Sequence, residues 1–447
     1  MDLIAFFSFL VGDNKVIVNF AIENFLSFKN AVTTDFESSR EKFNSDHLAT
    51  VKKIHKKISP IACFFGPNAS GKTNWFKALK YLKGIIVNPQ PDGGLTNVTP
   101  YKLDTFSENN PTKFQIEFLS DKDDLYKFTV ELNSKKILFE SLSVQNSQGI
   151  NDIYIRKEQS IQFFNKNKKA EGQTKFALNL LKTSLKDNQL ILNAANSNLW
   201  SILKNIGKAY EWFNKLVLIS PDTGFLPIFT AGTYEPSIIS KLLSNYGIDV
   251  DNILLNDFPL ENLPEEFKKE LSNLDPTKCF GGFINDKDFV LARIIDGQVK
   301  VQKLCTIHNL EKGNMVSFDF SSESDGTRRL IELFPILLAL SSTEEKNFVF
   351  LIDELDRSLH TLLTKKIVET FIKLRTPEMR TQLIFSCHDF LMLDHKVLRL
   401  DQMFIFSKQD SYSIVNKFNT INGIRTDKDL LKFYLEGKLG GIPKMKI

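Results

Sequence analysis

Gly66-Pro67-Asn68-Ala69-Ser70-Gly71-Lys72-Thr73 constrains this chain more than any other stretch. It fits the pattern G-x-x-x-x-G-K-[ST], and its setting fits too. Ile58–Phe65 before it is a short apolar run without alternation, as expected of a strand buried on both faces. After it, Trp75, Phe76, Leu79 and Leu82 take helical spacing through Ile86. A strand that turns into a helix at two glycines lets backbone N–H groups converge on an anion where a side chain would block approach. The helix N-terminus adds partial positive charge at the same point. Lys72 would neutralise the outer phosphates of a nucleotide, and Thr73 would offer a hydroxyl to Mg²⁺.

A second apolar strand, Phe348–Ile352, ends in Asp353-Glu354. Taken alone, the pair reads equally well as acidic residues at a strand-to-helix junction. Beside a phosphate loop it reads as chemistry: Asp353 holding Mg²⁺ and Glu354 polarising the attacking water. Ser324-Asp325-Gly326-Thr327 stands one turn before an apolar helix. Locally it is a helix cap, and it is also a second helix N-terminus able to face a phosphate. His388 follows the strand Thr381–Phe385, at the strand edge where ligands of open parallel sheets bind. A lone histidine is usually structural, but at that edge it could donate to a terminal phosphate. Arg357 and His360, which follow the carboxylate pair, read as helix-start polar residues.

The 447 residues suggest about two to four domains, or one large domain with an insertion. Apolar residues at 42% and charged residues at 25% exclude a wholly disordered or collagen-like chain. The formal charge of +4 neither demands nor excludes nucleic acid. With 39 phenylalanines, the core is expected to be aromatic-rich. Cys63, Cys279, Cys305 and Cys387 form no close pair, which argues against zinc and disulfides and favours a reducing cytosol. The apolar opening Met1–Val11 is too short to span a bilayer, and no other run reaches about 18 apolar residues. A soluble cytoplasmic protein with no membrane partner is expected.

Patterning divides the chain. Lys15–Phe28 reads as a strand with a turn at Glu23-Asn24. Residues 29–57 read as a loop or short helix, and 86–112 as loop. Residues 114–119, 126–132, 137–144 and 153–164 suggest an antiparallel meander. Residues 174–272 read mainly as helix, and strands return at 288–320. Helix and strand then alternate: helices at 327–341, 359–375 and 389–396, with strands at 348–353, 381–386 and 402–406. That alternation is the signature of a parallel α/β sheet. The expected organisation has three parts. Residues 1–165 and 287–447 form two halves of one nucleotide-type domain, and 166–286 form an inserted, mostly helical lobe.

The order of these motifs is that of ABC-type ATPase heads. The chain resembles SMC/RecF-like AAA ATP-binding proteins, and within them the RloA/AbiL-like group of bacterial phage-defence ATPases. The resemblance is carried by Ile22-Glu23-Asn24-Phe25 with Ser27-Phe28, and by GPNASGKTN at 66–74. ESDGTRRL at 323–330, LIDELDRSLH at 351–360, FSCHDFLMLD at 385–394 and the tail Tyr434–Pro443 add to it. It implies an ABC-type head, a P-loop parallel sheet plus antiparallel meander, that binds and hydrolyses ATP with Mg²⁺. Gly66 through Asn74 would hold phosphate, Thr73 and Asp353 would hold Mg²⁺, and Glu354, Lys72 and His388 would be catalytic. Ser324 and Gly326 resemble the signature turn, which contacts the ATP of a partner subunit. Asp356 resembles the loop that couples two such sites.

The partners implied are a second copy or a higher homo-oligomer, and a separate toxic effector, such as a TOPRIM-type nuclease. The chain itself carries no nuclease motif. A RecF-like DNA-binding ATPase is the alternative, with Lys52, Lys53, Lys56, Lys57, Lys166, Lys168 and Lys169 as candidate contacts. A transporter subunit is disfavoured by the large insertion and by a signature of SDGT.

Overall fold

The computed structural model describes residues 16–88, 94–120, 123–164, 171–194, 199, 202–214, 216, 243–272, 279–285, 288–295, 297–309, 314–341, 349–424 and 429–439. The expectations for Met1–Val11 and for Lys166, Lys168 and Lys169 lie outside these residues. Two compact units emerge. One comprises Gly12–Leu218, Glu345–Leu355 and Arg375–Ile447; the other comprises Ile219–Glu344 and Asp356–Leu374.

The first unit holds two large sheets. Its strands in chain order are β1 (Val16–Glu23), β2 (Val32–Asp35), the short pair β3 (Ala49–Val51) and β4 (Lys56–Ile58), β5 (Ile61–Phe65), and β6 (Thr112–Leu119). β7 (Leu125–Leu132), β8 (Ile137–Asn146), β9 (Gly149–Lys157) and β10 (Ser160–Phe163) follow. Seven of them form one sheet in the order β10-β9-β8-β7-β6-β1-β2, antiparallel throughout. This is the expected meander, extended by β1 and by β2, which lies in the stretch read as loop. Along β6, buried and half-buried residues alternate, as one packed face requires.

The second sheet is built from distant parts of the chain. β16 (Val349–Ile352), β17 (Gln382–Ser386), β5 and β18 (Met403–Gln409) run parallel in that order, and β19 (Tyr412–Lys417) closes the edge antiparallel. Every residue of β5, β16 and β17 is buried, which explains why β5 and β16 read as continuous apolar runs and β17 is apolar through Leu383–Phe385. Gln382 ties the two sheets together. Its Oε1 accepts from the Ile17 N–H at 3.0 Å, and its Nε2 donates to the Ile17 carbonyl at 3.0 Å.

Helix α1 (Lys72–Val87) runs from the end of the phosphate loop. Trp75 fixes its first turn in an aromatic cluster, with ring centroids 4.8 Å from Phe64, 5.4 Å from Phe20 and 6.3 Å from Phe36. Its indole N–H donates to Thr34 Oγ1 at 3.0 Å, so the ring is both packed and satisfied. Removing such a buried ring costs on the order of 3–5 kcal/mol.

The helices expected to form a lobe behave differently. α2 (Glu171–Ser184), α3 (Ile191–Ala194) and α4 (Lys204–Asn214) place Ala177, Leu181, Ile191, Ile206 and Phe213 in the same core as β1, β6, β7, β8 and α1. Trp212 stacks on Phe118 of β6 at 4.3 Å. Their apolar faces are covered by the meander, so this part of 166–286 is not a separate body.

The second unit is also more β than its sequence suggests. β11 (Asn252–Asp257) lies in the stretch read as helix. It joins β12 (Cys279–Ile284), β13 (Asp288–Ile295) and β14 (Gln298–Asn309) in the order β11-β14-β13-β12, with β15 (Met315–Asp319) also paired to β14. Helix α5 (Glu265–Leu271) contributes Leu271 to a small core with Ile284, Val290 and Val301. Helices α6 (Asp325–Ser341) and α7 (Thr361–Lys373) follow. Within 166–286 the described residues carry the helices α2, α3, α4 and α5 and the strands β11 and β12; only 252–257 departs from its helical reading, because cross-strand pairing with β14 overrides its weak helical spacing. The helix expected at 389–396 is a single 3₁₀ turn, Phe390–Met392, capped by Asp389. Among the described residues no helix is long and apolar enough to cross a membrane.

Candidate functional site

The phosphate loop joins β5 to α1, and its backbone takes forms that few side chains allow. Gly66 has φ +144 and Gly71 has φ +111, while Ala69 is left-handed at φ +60. A Cβ on Gly66 would stand 2.3 Å from the Phe406 carbonyl oxygen. The concave backbone therefore requires glycine at Gly66 and Gly71.

The loop's polar atoms match an anion. Lys72 is buried, and its Nζ donates to the carbonyls of Gly66 at 2.6 Å and Pro67 at 3.1 Å. The ammonium therefore already lies inside the loop. Ser70 is 1% exposed, and its hydroxyl has no hydrogen-bond partner among the described residues. A buried orphan donor beside a buried ammonium at the start of a 16-residue helix fits a phosphate. Thr73 is exposed and Asn74 is half-buried. Asn74 turns away to structure: its Nδ2 donates to Ser27 Oγ at 2.8 Å, and Ser27 in turn accepts from Ser413 Oγ at 2.8 Å. Ser27 and Ser413 thus brace the loop from the segment after β1 and from β19.

Strand order sets the second half of the site. β17 lies between β5 and β16, so its last residue stands between the phosphate-loop strand and the carboxylate strand. That residue is Ser386, which is fully buried. Its Oγ donates to Asp353 Oδ1 at 2.5 Å and accepts from the Glu354 N–H at 2.7 Å. Glu354 has φ +56, a left-handed backbone that costs a non-glycine residue about 1–2 kcal/mol. Its carboxylate projects to the surface, with Oε1 3.6 Å from His388 Nε2. Both side chains are roughly 40% accessible, 40% for Glu354 and 37% for His388, so water and substrate can reach them. Asp353, by contrast, is only 7% exposed.

The hard oxygen donors Thr73 and Asp353 suit Mg²⁺. Among the described residues no cluster of three or more His, Cys, Asp or Glu could hold a metal alone. The rest of a magnesium shell would come from water and phosphate oxygens.

The structure thus brings Gly66 through Asn74, Asp353, Glu354 and His388 into one unit. Ser324, Gly326 and Asp356 belong to the other unit. There Ser324 caps α6: its Oγ accepts from the Thr327 N–H at 3.1 Å, and its carbonyl accepts from the Arg328 N–H at 3.0 Å. Glu323, just before it, accepts from Thr306 Oγ1 at 2.5 Å and pairs with His308 Nε2 at 2.7 Å, which fastens the turn to β14. A Cβ on Gly326 would sit 3.0 Å from the Ser358 carbonyl oxygen, so the turn packs closely on the loop carrying Asp356. His360 is the cap of α7, its Nδ1 accepting from the Leu362 N–H at 3.2 Å, as its helix-start reading implied. Among the candidate DNA-contacting lysines, Lys53 is paired with Asp124 and Lys56 with Glu37.

Three residues of the first unit are given no role by motif reading: Ser27 and Ser386, which lie within the quoted motifs, and Ser413, which lies outside them. Ser386 carries a local signal, a hydroxyl that ends the buried strand β17 directly after the apolar Leu383-Ile384-Phe385.

Comparison with known proteins adds the following. A family model described as "AAA domain, putative AbiEii toxin, Type IV TA system" matches residues 61–394. No curated protein matches the sequence. Among solved structures, the chain is similar to the SMC head domain from Thermotoga maritima, at 12% identity and a TM-score of 0.33, over 90% of this chain and 98% of that one. An SMC head bound to the C-winged helix domain of ScpA gives 12% identity and a TM-score of 0.38, over 90% and 97%. The recombination mediator protein RecF with ATP gives 12% and 0.33, over 90% and 99%.

Proposed function

The chain belongs to the AAA domain family whose model is described as putative AbiEii toxin, Type IV TA system, and from that membership we propose that it hydrolyses ATP to control its own assembly. The observation that carries this reading is the shared anchoring of Asp353 and Glu354 on Ser386, one strand away from the loop that encloses Lys72. Lys72 and the orphan hydroxyl of Ser70 bind the outer phosphates. Thr73 and Asp353 would hold Mg²⁺, which when bound would neutralise phosphate charge. Glu354 orients the attacking water and accepts its proton. In this reading His388, whose Nε2 lies 3.6 Å from Glu354 Oε1, donates to the terminal phosphate.

In this reading the Ser324–Gly326 turn of one copy closes the nucleotide site of another. The resulting dimer or higher homo-oligomer opens after hydrolysis, because the terminal phosphate supplies contacts that ADP lacks. Asp356, on the loop whose Ser358 carbonyl approaches Gly326 of the same turn, couples the two sites. The biological role that fits the resemblance to phage-defence ATPases is a cytoplasmic sensor or scaffold. It holds a separate toxic effector, such as a TOPRIM-type nuclease, and releases it on a signal.

The experiment is a pair of variants. Glu354→Gln is expected to bind ATP and accumulate the closed assembly in size-exclusion chromatography, with hydrolysis reduced at least about 100-fold. Lys72→Ala is expected to lose ATP binding and to stay in the nucleotide-free assembly state. Normal hydrolysis by Glu354→Gln, or normal uptake and assembly by Lys72→Ala, refutes the proposal.

A further inference from the structure

Ser386 does something no motif assigns to it. A hydroxyl has one proton and two lone pairs. Here the proton goes to Asp353 Oδ1 at 2.5 Å, and a lone pair takes the Glu354 N–H at 2.7 Å. The Ser386 carbonyl also accepts from the Leu355 N–H at 3.0 Å, so one residue holds three consecutive positions of the carboxylate segment. The side chain is fully buried, and water cannot replace either bond cheaply.

The two carboxylates have different tasks and different environments. Asp353 is buried and suited to a cation, whereas Glu354 is open to solvent on a left-handed backbone. That backbone form persists only where surrounding contacts enforce it. The bond from the Glu354 N–H to Ser386 Oγ is such a contact. The same oxygen therefore feels any cation drawn to Asp353 and holds the peptide that aims Glu354.

We infer that Ser386 is a positioning residue that orients Asp353 for a divalent cation and, through the same hydroxyl, holds Glu354 in its left-handed form. The inference rests on the ATPase reading. It predicts that cation loading at Asp353 and the aim of Glu354 fail together when the hydroxyl is removed. Alanine has neither donor nor acceptor, whereas threonine keeps both.

The test uses the full chain with Ser386→Ala and Ser386→Thr. Fluorescent ATP binding in EDTA is expected to be unchanged in both, since the phosphate loop is untouched. Manganese binding to the ADP complex, followed by electron paramagnetic resonance, is expected to weaken about 10-fold in Ser386→Ala, as when a ligand's supporting hydrogen bond is lost. The kcat for ATP is expected to fall by about the same factor at saturating magnesium, with KM within twofold. Ser386→Thr is expected to restore manganese affinity and kcat together. Normal manganese affinity and kcat in Ser386→Ala overturns the inference. So does loss of nucleotide binding in EDTA, which would make Ser386 a packing residue only. A wild-type chain that binds no nucleotide removes the ATPase reading, and this inference with it.

Discussion

A Cβ atom on Gly71 would lie 2.3 Å from Ser413 Oγ and 2.8 Å from Ser413 Cβ. The phosphate loop is therefore closed on one side by β19, a strand more than 300 residues further along the chain, as the Ser27–Ser413 bond also shows. Gly71→Ala meets both this wall and the cost of φ +111. We expect it to weaken ATP binding at least about 10-fold, read by fluorescent-nucleotide titration. Gly71→Ala with Ser413→Gly is expected to recover part of the loss, because only the dihedral cost and the contact with Ser27 remain. No recovery would show that the wall is irrelevant.

Glu354 offers a test of stored strain. Glycine in place of alanine normally lowers stability by about 0.5–1 kcal/mol, because the unfolded chain gains freedom. At φ +56 the order should reverse. Glu354→Gly is expected to be more stable than Glu354→Ala by about 1 kcal/mol in urea denaturation, while both variants lose hydrolysis. Equal stabilities, or alanine ahead, would place the strain elsewhere.

His47 gives the fold a pH dependence. Burial, with help from the Arg375 charge, lowers its pKa from 6.5 to about 4. The Gln402 amide is oriented by its Oε1, which accepts from the Arg399 N–H at 3.0 Å, so its Nε2 donates to His47 Nε2 at 2.9 Å. A protonated imidazole cannot accept that bond. Between pH 6.5 and 4 the unfolded chain takes up a proton that the folded chain refuses. This contribution is complete above about pH 6.5 and is lost as pH falls to about 4, amounting to at most about 3 kcal/mol. His47→Gln is expected to flatten the fall in Tm between pH 7 and 4.5. An unchanged slope would assign the acid sensitivity to other groups.

Glu140, Tyr154 and Arg156 fasten the 186–191 segment to the meander. Glu140 accepts from Tyr154 Oη at 2.7 Å and from the Ile191 N–H at 2.9 Å, and Arg156 Nη2 donates to the Lys186 carbonyl at 3.2 Å. All three side chains are buried. Arg156 Nη1 lies 3.6 Å from Glu140 Oε2, so Arg156→Met removes the buried carboxylate's cationic partner and is expected to cost about 3–5 kcal/mol. Adding Glu140→Gln is expected to recover much of that loss in the same denaturation measurement. A double variant as unstable as the sum of the two single variants would mean that the charges do not interact.

What could be read locally was local. The phosphate loop, the strand before it, the helix after it, the apolar strand ending in Asp353-Glu354 and the cap at Ser324 are each written in contiguous residues. Short-range sterics and burial on both faces decide these elements. Tertiary structure decided what depends on residues far apart in sequence. It put β17 between β5 and β16 and thereby brought the Ser386 hydroxyl to the Asp353 carboxylate and the Glu354 N–H. It covered Gly71 with Ser413, packed α2, α3 and α4 into the meander's core, and paired 252–257 as a strand on β14. Periodicity could not foresee these arrangements, because strand neighbours are chosen by pairing and burial across the whole chain, and a helical spacing in sequence does not reveal which surface will cover it.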